Sequence, residues 1–137
     1  MKSLNNLADQ FTKTPRRLFL IDGLGAVLSA MMLGFVLVPF NEFFGFPVST
    51  LYVLAAFPCV FTVFDAYAYF KNGESTMRHL SIISTSNILY CIFSVSMVMF
   101  HFVALPGWIY ILLEITIVLI FVLIENKTII RLRLNLE

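Results

Sequence analysis

SIISTSNILYCIFSVSMVMFH, residues 81–101, is a long apolar run whose polar members fall on a repeat. Ser84, Asn87, Cys91, Ser94 and His101 follow one another at steps of three, four, three and seven, which on a helix is one face. Thr85 and Tyr90 flank that face. In lipid an Asn turned towards acyl chains is poorly solvated, so the stripe must face other helices or an internal cavity. This run is therefore expected at the centre of a helical bundle.

The composition agrees. Of 137 residues, 60% are hydrophobic and 12% charged, and the mean hydropathy is +0.92. Soluble domains carry about 25% charged residues, so the chain reads as an integral membrane protein. Crossing a hydrocarbon core takes roughly 20 apolar residues per helix. Runs of that kind lie at about 16–40, 48–70, 81–104 and 106–125. The reading is an all-α bundle of four transmembrane helices in two antiparallel hairpins: an amphipathic segment 1–14, a membrane domain 15–125 and a tail 126–137.

The charges give the orientation. Lys2, Lys13, Arg16 and Arg17 precede the first run, Lys71 and Arg78 join the second to the third, and Lys127, Arg131 and Arg133 follow the fourth. The other two connections contain no Lys or Arg. By the positive-inside rule both termini are cytoplasmic, in a multi-pass protein of the cell (inner) membrane. The first run is too long, and lacks the small-residue cleavage pattern, for a signal peptide. Cys59 and Cys91 sit near the middle of their runs and read as buried free thiols.

In the first segment Leu4, Leu7, Ala8 and Phe11 fall at helical spacing, as in an amphipathic helix lying on the membrane surface. Thr14 before Pro15 reads as an N-cap. In the first run Asp22, Ala26, Ala30 and Gly34 recur every four residues, a small-residue face for close helix approach. The loop PFNEFFGFP, 39–47, is aromatic and reads as a compact cap over the outer end of the bundle. Pro58 lies inside the second run and removes a helix hydrogen bond. Asp65 follows, about one turn inside the boundary, where a carboxylate needs a partner or a proton. KNGESTMRH, 71–79, offers an Asn-Gly turn, Ser75 or Thr76 as a cap, and a solvated His79. Tyr110, Glu114, Val118, Phe121 and Glu125 share a face of the fourth run, with Glu114 near the bilayer middle. Ile130, Leu132, Leu134 and Leu136 alternate with polar residues, a strand-like period suited to a frayed tail on lipid or to a partner's sheet edge.

A rise of 1.5 Å per residue puts Asp22, Asp65 and Asn87 roughly 7–9 Å to the cytoplasmic side of the centre, in one layer. Cys59, Cys91 and Glu114 fall within about 3 Å of the centre, and Ser84, Tyr69 and Glu125 lie nearer the cytoplasm. The candidate ligand-binding residues are Asp22, Asp65, Asn87, Tyr90, Glu114, Ser84 and Cys91. Acidic and hydroxyl groups without an internal Lys or Arg suit a cation, a proton or a small amine. No His pair at ligand spacing, Gly-rich phosphate loop or G-x-S-x-G elbow is present, so no metal site, haem or other cofactor is named.

The leading expectation is a cytoplasm-facing acidic pocket that binds or transports such a ligand, in a homo-oligomer or beside a partner membrane protein. A structural or regulatory subunit acting through the aromatic loop and the tail is the alternative. An enzyme acting on a lipid or isoprenoid comes third, with the balance away from an enzyme, and nucleic acid is not an expected partner.

Overall fold

The computed structural model describes residues 1–71 and 75–137; the Asn72-Gly73 turn expected in the middle connection lies outside them. The described residues form helices, with no strand among them. They are α1 (Lys2–Lys13), α2 (Arg16–Met31), α3 (Asn41–Phe44), α4 (Val48–Phe70), α5 (Thr76–Phe100) and α6 (Leu105–Leu134). A π-turn, Met32–Val36, prolongs α2, with the Leu37 N–H donating to the Met32 carbonyl at 2.8 Å. Four helices, of 21, 23, 25 and 30 residues, are long and apolar enough to cross a membrane.

The third run behaves as its stripe requires. Ser84, Asn87, Tyr90, Cys91 and Ser94 of α5 are all buried. Leu89, Ile92 and Met99 on its other side are exposed, as are Leu24, Leu28, Val60, Val63 and Leu113 on the neighbouring helices. That is an apolar belt around a partly polar interior, the pattern a bilayer demands.

The helices associate in pairs, α2 with α4 and α5 with α6. At the end marked by α1, Arg16 Nε and Nη2 donate to the Tyr69 carbonyl at 3.0 and 2.8 Å, tying the start of α2 to the end of α4. At the end marked by α3, the Ala104 N–H donates to the Phe44 carbonyl at 3.2 Å, tying the two aromatic connections together. Gly45 there has φ 75°, and a Cβ on it would run into the Ala104 backbone. Gly107 is equally confined, since its Cβ would collide with the Phe44 carbonyl oxygen. Phe46 is buried beneath this junction while Phe40 and Phe43 face outwards, so the loop is a cap with an apolar outer surface.

Two apolar clusters form the interior. One, towards α3, contains Leu33, Leu37, Phe46, Leu51, Leu54, Val98 and Ile111. The other, towards α1, contains Leu18, Phe19, Ala68, Leu80, Ile83 and Ile124.

Several local expectations give way to tertiary packing. Residues 130–134 do not form a strand: α6 runs to Leu134. The reason is that Ile124, Thr128, Ile129 and Leu132 also lie at helical spacing, and Ile124, Ile129 and Leu132 share an apolar cluster with Leu4 and Phe11 of α1, which packs on α6. Accordingly α1 docks on the protein itself, with Ala8 fully buried and Leu4 and Phe11 packed on the second cluster. Asp9 and Arg131 form an ion pair beside it, and Lys127 Nζ donates to Asn5 Oδ1 at 3.0 Å. Thr14 does not cap α2, because its hydroxyl turns back to the Gln10 carbonyl at 3.3 Å and Pro15 takes the N-cap position. Ser75 occupies the N-cap of α5 without a side-chain capping bond. His79 is buried, not solvated, with the rings of Phe19, Phe64 and Tyr67 at 6.5, 5.8 and 5.8 Å. Cys91 is buried and Cys59 exposed, and both are free thiols.

Candidate functional site

Between the two apolar clusters lies a polar layer. It is assembled from α2, α4, α5 and α6, each helix contributing a residue that could not be left facing acyl chains. Asn87, on the buried face of α5, points its amide at Asp22 of α2, with Nδ2 at 3.4 Å from Oδ1 and 3.5 Å from Oδ2. Asp22 stands within hydrogen-bonding reach of Asp65 on α4. Gly23 favours this proximity: a Cβ there would sit 3.2 Å from the Cβ of Asp65, so a larger residue would ask α4 to yield by a few tenths of an ångström.

Asp65 is 1% exposed, and neither carboxylate oxygen has a donor. Glu125 of α6 is also 1% exposed and has one oxygen, Oε2, without a partner. Asp22, Asp65 and Glu125 are thus three carboxylates of the bundle interior, of which Asp22 alone receives the Asn87 amide. None of them has a Lys or Arg partner among the described residues.

One step towards α3 is a second polar group. The Tyr90 hydroxyl donates to Glu114 Oε1 at 3.2 Å, and Ser29 of α2 is close to the same carboxyl. Oε2 of Glu114 is buried without a partner, as is the hydroxyl of Ser94. The two groups face one cavity of about 120 Å³, lined by Asp22, Ser29, Asn87, Tyr90 and Glu114, with Pro58 and Phe61 completing the wall. Ser84 lies off it and donates to Asn126 Oδ1 at 3.1 Å. Cys91 is buried near Glu114 but does not line the cavity.

Asp22, Asn87, Tyr90 and Glu114 therefore share a cavity and Asp65 adjoins it through Asp22, while Ser84 and Cys91 stand apart. Glu125 was not among the candidates from the sequence. Its signal was present, three turns beyond Glu114 on one helical face and nearer the cytoplasm than the Asp22, Asp65 and Asn87 layer.

Chemically, the layer offers negative or neutral oxygens and few donors. Burying a lone carboxylate at helix-centre depth costs about 2.5–3.5 kcal/mol on insertion scales, and like charges a few ångström apart resist joint ionisation. Such a group is at rest only with a proton or a cation among its oxygens. Among the described residues no three His, Cys, Asp or Glu side chains are placed to hold a metal ion. Comparison with protein-family models, with curated proteins and with solved structures finds no match.

Proposed function

We propose that this small multi-pass membrane protein binds, and passes across the membrane, a small monovalent cation or amine in exchange for protons held by the carboxylate layer. The observation that carries the reading is the set of buried oxygens with no donor, on Asp65, Glu114 and Glu125, none of them paired with a Lys or Arg among the described residues. One proton between Asp22 and Asp65 supplies the donor their contact lacks, and an incoming cation displaces it. Size limits the ligand. Sites for drug-sized molecules span roughly 300–1,000 Å³, whereas the cavity beside Asp22 and Glu114 has about 120 Å³. A proton, an ammonium or a methylated ammonium fits that space.

The one-sided distribution of Lys and Arg supports two antiparallel hairpins with the α1 end in the cytoplasm, and on that reading the acidic layer belongs to the cytoplasmic half of the membrane. The subunit reading keeps the exposed Phe40 and Phe43 of the cap and Ile130, Leu134 and Leu136 of the tail as surface, although Leu132 packs with α1 and Phe46 lies inside the bundle.

The test is proton release from the purified full-length protein in weakly buffered detergent, read with a pH indicator as tetramethylammonium is added. Release that saturates is expected for the native protein. In Asp65→Asn and in Glu114→Gln the apparent affinity should fall about tenfold to a hundredfold, as loss of a charged hydrogen bond worth about 1.5–3 kcal/mol dictates. Unchanged release in both variants removes the proposal.

A further inference from the structure

Between α2 and α4, on the bilayer side of the acidic layer, runs a groove of about 220 Å³ whose walls include Phe19, Gly23, Leu24, Val27, Asp65 and Tyr69. Leu24 and Val27 are exposed on the apolar belt, so the groove opens towards lipid. Its floor contains a buried carboxylate without a donor. Gly23 thins the wall at that point, for even a Cβ built on it would be 3.7 Å from Asp65 Oδ2. Towards α1 the way is blocked by Leu18, Phe19, Ala68 and Leu80, with Leu4 and Phe11 of α1 packed over them. A solute coming from that end meets hydrocarbon before it meets Asp65. Arg16 does not neutralise the carboxylate, being held by the carbonyl and the ring face of Tyr69.

We propose that the groove takes a single-chain amphiphilic amine directly from the bilayer, its alkyl chain along Leu24 and Val27 and its ammonium against Asp65. Charge selects this occupant, since a fatty acid would set carboxylate against carboxylate and an uncharged chain would leave Asp65 as it is. Width selects a single chain, the space being smaller than the roughly 300 Å³ at which drug-sized sites begin. The inference rests on the proposed function in one respect, the taking of Asp65 as a cation-binding carboxylate, and adds an entry route from lipid and a longer substrate class.

The test uses the full chain in a non-ionic detergent, incubated with dodecylamine or with dodecanol as the uncharged chain of equal length, and read by native mass spectrometry. One retained dodecylamine per chain is expected, with no matching dodecanol adduct. Asp65→Asn should lower amine retention about tenfold or more. Val27→Trp, which fills the groove from an exposed position, should do the same and serves where Asp65→Asn fails to fold. Equal retention of amine and alcohol, or amine retention unchanged in either variant, overturns the groove as the seat of binding. Tetramethylammonium has no chain and reports on the central cavity alone. Dodecylamine binding without a tetramethylammonium response would therefore refute the central exchange and keep the groove, and the converse would remove the groove only.

Discussion

Asn87 donates to a carboxylate at the long end of hydrogen-bond distance, and its value to stability is correspondingly small. Interhelical hydrogen bonds in membranes average about 0.6 kcal/mol. Asn87→Ala is thus expected to change the unfolding free energy in bilayers by about that amount, while weakening tetramethylammonium-driven proton release by about tenfold or more. Reversible unfolding in mixed micelles measures the first and the pH indicator the second; equal effects on both would make Asn87 a packing residue. At this scale the sequence was informative where depth alone decides. Asp22, Asp65 and Asn87 could be set in one layer from the helical rise. It was silent where a neighbour decides. His79 is polar and close to Arg78, and only the rings of Phe19, Phe64 and Tyr67, from two other helices, make its position a buried one.

Among the elements, the α1–α6 contact and the junction at α3 were the least legible. Alternation of Leu and Arg in 130–136 obeys the period of a strand, and the same letters also place Leu132 on a helical stripe with Thr128 and Ile129. The presence of α1 as a partner chooses the second reading. The Asp9–Arg131 pair is part-exposed, so its removal in Arg131→Ala should cost about 0.2–1 kcal/mol. The expected consequence is local: faster proteolysis near residues 1–14 with the bundle intact, restored by exchanging the two charges in Asp9→Arg with Arg131→Asp. At the other end, Gly107→Ala forces a Cβ into the Phe44 carbonyl. Overpacking of that kind costs about 1–3 kcal/mol, and Gly45→Ala adds the left-handed backbone penalty of about 1–2 kcal/mol. Thermal unfolding should rank both variants below Gly25→Ala, where a Cβ meets nothing within 4 Å.

For the molecule as a whole, four apolar runs were readable because lipid imposes one simple rule on composition. Which helix lies against which is written in shapes that show only after assembly, such as the space Gly23 leaves for Asp65. The longest of the four, α6, has 30 residues. At 1.5 Å each it measures about 45 Å against a hydrocarbon thickness of about 30 Å, so one end stands clear of the acyl region and offers α1 its seat. Deleting 128–137 takes away most of that seat. A cation-binding core is expected to keep its tetramethylammonium response after the deletion, whereas a protein working through its tail would lose its partner and co-purify alone.

The seat of α1 also has a consequence in time. The Asn5 carbonyl and Asn5 side chain bond to Arg131 and Lys127, so α1 is seated only once α6 has been made. Until α6 emerges the amphipathic segment has an unburied apolar face and must wait, resting on the membrane or on a chaperone. Closure of the α1–α6 contact therefore waits on the synthesis of α6, and a ribosome stalled before residue 126 would hold about nine-tenths of these 137 residues with α1 still unattached.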